Sequence, residues 1–214
     1  MSGRLSQLIR NLRSGPSRAR KDRHFPPASA DETEKTGDMN PRTGPLAGQP
    51  LELPYRPCVG IMLFNAYGQV WVGRRLPKWV NDRSAHFWQM PQGGIDAGEE
   101  PREAALRELH EETNVTSAEV IGEIPGWLSY DLPADLVGVA LKGKYRGQRQ
   151  RWFAMRFTGN DSEIDIRPRR GLKAEFDAWR WESIDNVPKL IVPFKRSIYE
   201  EVVGGFRHLV TPTR

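Results

Sequence analysis

The chain has 214 residues, 38% of them hydrophobic, enough for one globular domain with a packed core plus an appendage. No apolar stretch approaches the roughly 20 residues that cross a bilayer, and a formal charge of +5 with a pI near 9.5 favours a polyanionic partner without naming it. The single cysteine, Cys58, excludes an intrachain disulfide and a zinc cluster of cysteines, and it fits a reducing cytoplasm.

Residues 1–54 differ from the rest. They hold seven of the 17 prolines and, of the aromatics, Phe25 alone, and seven basic residues between Arg4 and Arg23 face Asp22 as the one acid. This composition predicts a disordered, basic, Pro-rich extension ahead of a domain over 55–214. Leu5, Leu8, Ile9 and Leu12 can line a short amphipathic helix among Arg4, Arg10 and Arg13, suited to RNA or an anionic surface; a tail with no dedicated role accounts for the pattern equally well. Met39 is a second candidate translation start.

From Tyr55 onward strands and helices alternate. Val59 to Asn65 and Gln69 to Arg74 read as a hairpin around Asn65-Ala66-Tyr67-Gly68, and Phe87 to Pro91 reads as a third strand. Cys58 opens the first apolar run and reads as strand packing, not as a nucleophile. A glycine-rich turn at Gly93, Gly94 and Gly98 then enters a helix starting near Glu100, with Pro101 in its first turn. Ala104, Ala105, Leu106 and Leu109 supply its apolar stripe. Glu108, Glu111 and Glu112, at i, i+3 and i+4, share another face. Like charges that close oppose helix formation by a few tenths of a kcal/mol per pair, roughly, and an oxygen-seeking ion reverses the penalty. A solvated acidic surface is the plain alternative for an isolated Glu-x-x-Glu-Glu. Further strands are predicted at Glu119–Ile124, Trp152–Thr158 and Asp177–Trp181. A last helix follows Pro193, with Phe194, Ile198 and Val202 on one face and Gly204-Gly205 as its stop. A mixed sheet covered on both sides by helices is an α/β/α sandwich.

Gly93, Glu99, Arg107, Glu108, Leu109, Glu111, Glu112 and Val115 fall in the register of the Nudix box, and the chain resembles the Nudix hydrolase family. Asn114 stands where the box has its last glycine; asparagine enters the left-handed region most readily after glycine. The segments Tyr55–Gly60, Trp88–Gly94, Gly147–Phe153 and Glu175–Trp181 resemble one subgroup, the bacterial RNA pyrophosphohydrolases and the similar dinucleoside polyphosphate hydrolases. The resemblance implies the α/β/α fold and a divalent ion, Mg²⁺ before Mn²⁺ or Zn²⁺. It implies hydrolysis of phosphoanhydrides, either at 5′-triphosphate or diphosphate RNA ends or in dinucleoside tetraphosphates. In a bacterium, monophosphate ends would expose transcripts to 5′-end-dependent nucleases. The family admits a homodimer or a protein activator, and no residue pattern here demands either. A nucleotide- or RNA-binding module that has lost catalysis is the reading from another class, opposed by the intact carboxylate set.

Glu108, Glu111 and Glu112 are the principal candidate metal ligands. The resemblance adds the Gly93 carbonyl and Glu163, in Asn160-Asp161-Ser162-Glu163, as a further ligand or base. Glu108 is the leading general base and Glu163 the second. Glu99 is expected to brace the turn, and Arg107 to be held by an acidic neighbour. Arg56 and Arg75 can pair with phosphates or stack on a base, although Arg74 and Arg75 also read as a solvated strand end. Gln148, Arg149, Gln150 and Arg151 add donors for phosphate. Phe176, between Glu175 and Asp177, reads as an aromatic on an exposed loop, and the resemblance makes it a base-stacking residue. The seven tryptophans read as packing, without a site role.

Overall fold

The computed structural model describes residues 53–78, 82, 85–168, 171 and 173–210. The expectations for the N-terminal extension and for Met39 lie outside the described residues.

One strand organises the rest. β1 (Tyr55–Phe64) is buried over its last seven residues, so both its faces meet core. Val59, Ile61 and Leu63 join one apolar cluster, while Met62 and Phe64 join another on the opposite side. β2 (Val70–Arg75) returns antiparallel through Phe64↔Val70. The turn between them is built by Asn65, whose Oδ1 accepts the N–H groups of Tyr67 and Gln69 at 2.9 Å each, with Gly68 at φ 75°. β7 (Gly147–Phe157) lies parallel to β1 from Tyr55↔Gly147 to Phe64↔Arg156, and β5 (Ala118–Glu123) and β6 (Leu128–Asp131) pair antiparallel with it. β8 (Phe176–Glu182) pairs with β2, completing an eight-stranded mixed sheet.

The expected third strand, Phe87 to Pro91, shrinks to two residues, and a separate short strand follows where the glycine-rich turn was expected. β3 (Trp88–Gln89) pairs with β2, and β4 (Gln92–Gly94) pairs with β1. The break falls at Met90-Pro91, where proline has no N–H for a ladder and the Met90 N–H donates instead to the Tyr199 hydroxyl at 3.1 Å. β4 leads into α1 (Pro101–Thr113), whose N-cap is Glu100 and whose Asn114 sits at φ 68°, its N–H donating to the His110 carbonyl at 2.9 Å. The helix buries Ala104, Ala105, Leu109 and Thr113; Leu106, expected in that stripe, is 38% exposed.

After β8 come α2 (Val187–Leu190), a 3₁₀ turn over Pro193–Lys195, and α3 (Arg196–Phe206). The expected stop at Gly204-Gly205 does not occur, because α3 runs through both glycines. A helical glycine costs roughly 0.5–1 kcal/mol. Burial of Ile198, Tyr199, Val202, Val203 and Phe206 outweighs it. Since α3 packs in one cluster and α1 in the other, helices cover both faces of the sheet, as the α/β/α expectation requires.

Two more expectations need correction. β7 begins at Gly147, not near Trp152, because its polar opening Gln148 and Gln150 is buried through hydrogen bonds. Phe176 is not on an exposed loop. It opens β8 at 2% exposure, its ring covering Gly73 and meeting Trp71 edge-on at 5.3 Å. Strand alternation turns Phe176 inward and Asp177 outward, where Asp177 accepts the Arg74 guanidinium at 2.7 Å. Cys58 is buried as expected, and burial pushes its thiol up to about 11.

Gly60 lets Trp152 of β7 press close on β1, since a Cβ there would stand 2.6 Å from the Trp152 indole. Gly60→Ala should therefore destabilise the protein by about 1–3 kcal/mol. A urea titration should show a lower midpoint at unchanged slope, and an unchanged midpoint would contradict the contact.

Candidate active site

The turn between β4 and α1 is shaped by what rests on its glycines. A Cβ on Gly93 would fall on the Glu108 carboxylate, and one on Gly94 would fall on the Arg56 guanidinium. Arg107 ties this turn to the helix. Its Nε and Nη2 donate to Glu99 at 2.7 and 2.8 Å, Nη2 also donates to the Gly94 carbonyl at 2.8 Å, and Nη1 reaches Glu108 at 2.9 Å. Glu99 in turn accepts the Asp96 N–H at 2.9 Å. The bracing geometry expected of Glu99 and Arg107 is present, and the Arg107 hydrogen bonds hold the Glu99 carboxyl below its usual range.

Glu112 accepts the Gln92 N–H at 3.1 Å. Burial, then the charges of Glu175 and Glu108, raise its carboxyl well above the ordinary range; burial also raises Glu108, against the pull of Arg107. Glu175 immediately precedes β8, is fixed by the Leu76 N–H donating to its carbonyl at 2.9 Å, and pairs with Lys78 at 2.7 Å. Glu108, Glu112 and Glu175 line the same cleft. As the side chains stand, no three acidic, histidine or cysteine groups among the described residues converge on one ligation point. The donor set nonetheless fits a hard divalent cation, being all oxygen and carrying mutual repulsion that such an ion relieves.

The cleft has a volume of about 840 Å³. Arg56, Arg75, Lys78 and Lys195 face its carboxylates, and Lys142 and Lys144 stand on the segment between β6 and β7. The same segment contributes Leu136, Val139 and Leu141 to an apolar wall that Phe194 completes. Arg75 bridges Asp82 and Glu175 at 3.5 Å each. The Lys195 ammonium lies 5.3 Å from the centre of the Tyr130 ring; burial, with Arg75 and Lys78 nearby, lowers it to about 7.

Of the residues expected at the site, Arg56, Arg75, Gly93, Glu108, Glu112 and Gln148 line this cleft, and Glu111 lines an adjoining pocket with Glu108, Glu112 and Glu175. Gln150 does not touch the cleft; it is 1% exposed and lies beneath Gln92 and Gln148. Arg149 and Arg151 project from the other face of β7, over Trp127 at 4.7 and 5.9 Å. Glu163 is engaged elsewhere. Its Oε1 accepts the N–H groups of Thr116 and Ser117 at 2.6 and 3.0 Å, and these bonds, working against burial, hold its carboxyl below the usual range. Phe176 lies in the core, and the aromatic rings that line the cleft are Phe87, Tyr130, Tyr145 and Phe194.

Glu175, Lys195, Phe194, Tyr130 and Lys78 escaped the sequence reading. For Glu175 the signal was present: an acid at the lip of a strand whose first residue turns inward. For Lys195 it was a lysine set between the apolar run Leu190–Phe194 and an amphipathic helix, a position that needs an anionic partner.

Mixed sheet, glycine turn, carboxylate helix and a cleft that opposes acids to cations together define a hydrolase of phosphorylated compounds. The chain belongs to the Nudix family: the NUDIX domain model matches residues 54–202. It is 57% identical over 175 residues to the RNA pyrophosphohydrolase of Brucella anthropi, covering 80% of this chain and 99% of that one, and 56% identical over 176 residues to that of Brucella ovis, with the same coverage. Among solved structures, the Ap4A hydrolase binary complex of C. elegans superposes with a TM-score of 0.52 at 17% identity, over 72% of this chain and 97% of that one. The E. coli dihydroneopterin triphosphate pyrophosphohydrolase follows at 0.50 and 18%, over 70% and 97%. These two likenesses establish the fold alone. A divalent metal as cofactor is a property of the family, and no helix among the described residues is long and apolar enough to cross a membrane.

Lys195 offers a test of the cleft's electrostatics. Its amine titrates near 7 when folded and at about 10.5 when unfolded, so the cost of burying its charge is complete below pH 7 and fades as pH rises towards 10.5. Lys195→Met should raise the thermal midpoint of the ligand-free protein at pH 6 and gain little at pH 10. A gain that is the same at both pH values would contradict a desolvated ammonium on the cleft wall.

Proposed function

We propose that the protein is an RNA 5′ pyrophosphohydrolase that converts 5′-triphosphate or diphosphate ends to 5′-monophosphate. The observation that carries this reading is the single cleft in which Glu108, Glu112 and Glu175 oppose Arg56, Arg75, Lys78 and Lys195. RNA is favoured over a dinucleoside polyphosphate because the relatives at 55–57% identity over nearly their whole length bear the RNA name.

Water attacks a phosphorus of the polyphosphate, the P–O–P bridge breaks, and pyrophosphate or orthophosphate leaves. Glu108, whose carboxylate rests against Gly93 in the cleft, takes the water's proton. Glu108, Glu111, Glu112 and Glu175, with the Gly93 carbonyl, hold the divalent ion, for which we assign Mg²⁺. When bound, the ion neutralises charge on the phosphoryl oxygens. Arg56, Arg75, Lys78 and Lys195 bind the remaining anionic oxygens, and Gln148 adds a neutral donor. Leu136, Val139, Leu141 and Phe194 receive the first nucleobase. Glu163 is assigned to the loop that follows α1, not to the chemistry. The reaction is assigned to the cytoplasm, where its product is the end that 5′-end-dependent nucleases consume.

Equal concentrations of 5′-triphosphate RNA and diadenosine tetraphosphate, offered with Mg²⁺, should yield monophosphate-ended RNA faster than ATP; the reverse order would overturn the substrate assignment. Within the site, Glu175→Gln should lower kcat about 100-fold or more. Glu163→Gln should leave kcat within about threefold while lowering the unfolding midpoint, since it weakens two charge-assisted bonds to the backbone. If Glu163→Gln proved the more damaging to kcat, Glu163 would return to the catalytic set.

A further inference from the structure

The floor of the cleft is a set of side-chain amides whose directions are not independent. Trp152 Nε1 can only donate, and it donates to Gln150 Oε1 at 3.1 Å. That bond points the Gln150 nitrogen the other way, where it donates to Gln92 Oε1 at 2.9 Å and to Gln148 Oε1 at 3.0 Å. Gln148 Oε1 also accepts the Tyr130 hydroxyl at 2.8 Å. Trp152 and Gln150 are almost completely buried, at 0% and 1% exposure, so no water can substitute for a reversed amide. With both carbonyl oxygens turned down into this network, the NH₂ groups of Gln92 and Gln148 are left facing outward. Both side chains line the cleft, and among the described residues neither NH₂ group has a protein acceptor.

We propose that Trp152 and Gln150 are positioning residues that fix the polarity of the cleft floor, locking Gln92 and Gln148 so that they present only N–H donors to the substrate. Phosphoryl oxygens only accept, so such a floor selects them; one reversed amide would put a carbonyl oxygen against the anion. This deepens the phosphate-cleft reading and rests on it. It assigns Gln150 a role without substrate contact, through Gln92 and Gln148.

The test is Gln150→Glu, which keeps the shape but removes the donors. Trp152 keeps its acceptor, while Gln92 and Gln148 must rotate to donate to the new carboxylate and so turn their oxygens into the cleft. Titration of the Mg²⁺-loaded protein with inorganic tripolyphosphate should show binding at least about tenfold weaker. Turnover of triphosphate RNA should show a raised KM with kcat within about threefold. Gln150→Met, which frees the amides without adding charge, should give a smaller loss in the same direction and covers the case in which Gln150→Glu fails to fold. Binding by Gln150→Met equal to wild type would overturn the proposal. Simple repulsion by the new charge is separated by placing Gln150→Glu in a Gln92→Leu/Gln148→Leu background. There its cost should vanish if it acts through the amides; an undiminished cost would also overturn the proposal. Wild-type protein that binds tripolyphosphate but leaves RNA uncut would remove the RNA assignment while leaving the amide network standing. RNA turnover in which both Gln150 variants match wild type in KM and binding would do the opposite.

Discussion

The site depends first on the clamp between Arg107 and Glu99. Two parallel bonds of 2.7 and 2.8 Å fix the guanidinium, and its remaining donors reach the Gly94 carbonyl and Glu108. A loop of glycines is soft, and softness is what a site that positions charges cannot tolerate. The clamp converts that loop into a fixed edge by binding it to the second turn of α1. Arg107 is partly shielded from solvent, so the pair is worth more than a surface salt bridge, and the loss of Arg107 would leave the Glu99 carboxylate without its cation.

Around that clamp, the burial of β1 on both faces divides the labour. Val59, Ile61 and Leu63 pack on the side of α1 and hold the carboxylate helix in place. The other face of β1, with the adjoining face of β7, carries Arg56 and Gln148 into the cleft. Parallel pairing sets Arg56 opposite Gln148 and Cys58 opposite Gln150, so the cationic and amide elements of the floor share one register. A slip of one residue would exchange Gln148 and Gln150 for Arg149 and Arg151. The flat contact of Trp152 on Gly60 opposes that slip, because only the glycine leaves room for the indole.

Much of this was legible in the residues. The start of α1 at Glu100, the left-handed Asn114 and the bracing pair Glu99–Arg107 follow from local rules of capping and charge, and local rules do not need the rest of the fold. Phe176 and Glu163 show where those rules end. Acidic neighbours made Phe176 look exposed, but a strand places adjacent residues on opposite faces, and Asp177 is satisfied by Arg74, which lies 103 positions away in the chain. Glu163 is an acid near a strand end, as Glu175 is. Which of them reaches α1's acidic face is decided by tertiary pairing: Glu163 is captured by the backbone after α1, while Glu175 is delivered by β8 beside β2. Lys195 was missed for the same reason, since its cost and its use both arise only when Tyr130, Arg75 and Lys78 surround it.

The segment joining β6 to β7 has a wider consequence. It supplies Leu136, Val139, Leu141, Lys142 and Lys144 to one wall, while Glu108, Glu112 and Glu175 come from α1 and from the approach to β8. Its two anchors are held independently of its length, by the Leu132 N–H donating to the Arg146 carbonyl at 2.8 Å and by the Tyr130–Gln148 bond. On the proposed assignment, bond cleavage and the reach of the enzyme therefore sit on separately variable parts of the chain. Insertions or deletions in this connection can change which molecules fit without disturbing the machinery that cuts them, so a scaffold of this kind can diversify its diet through a single loop.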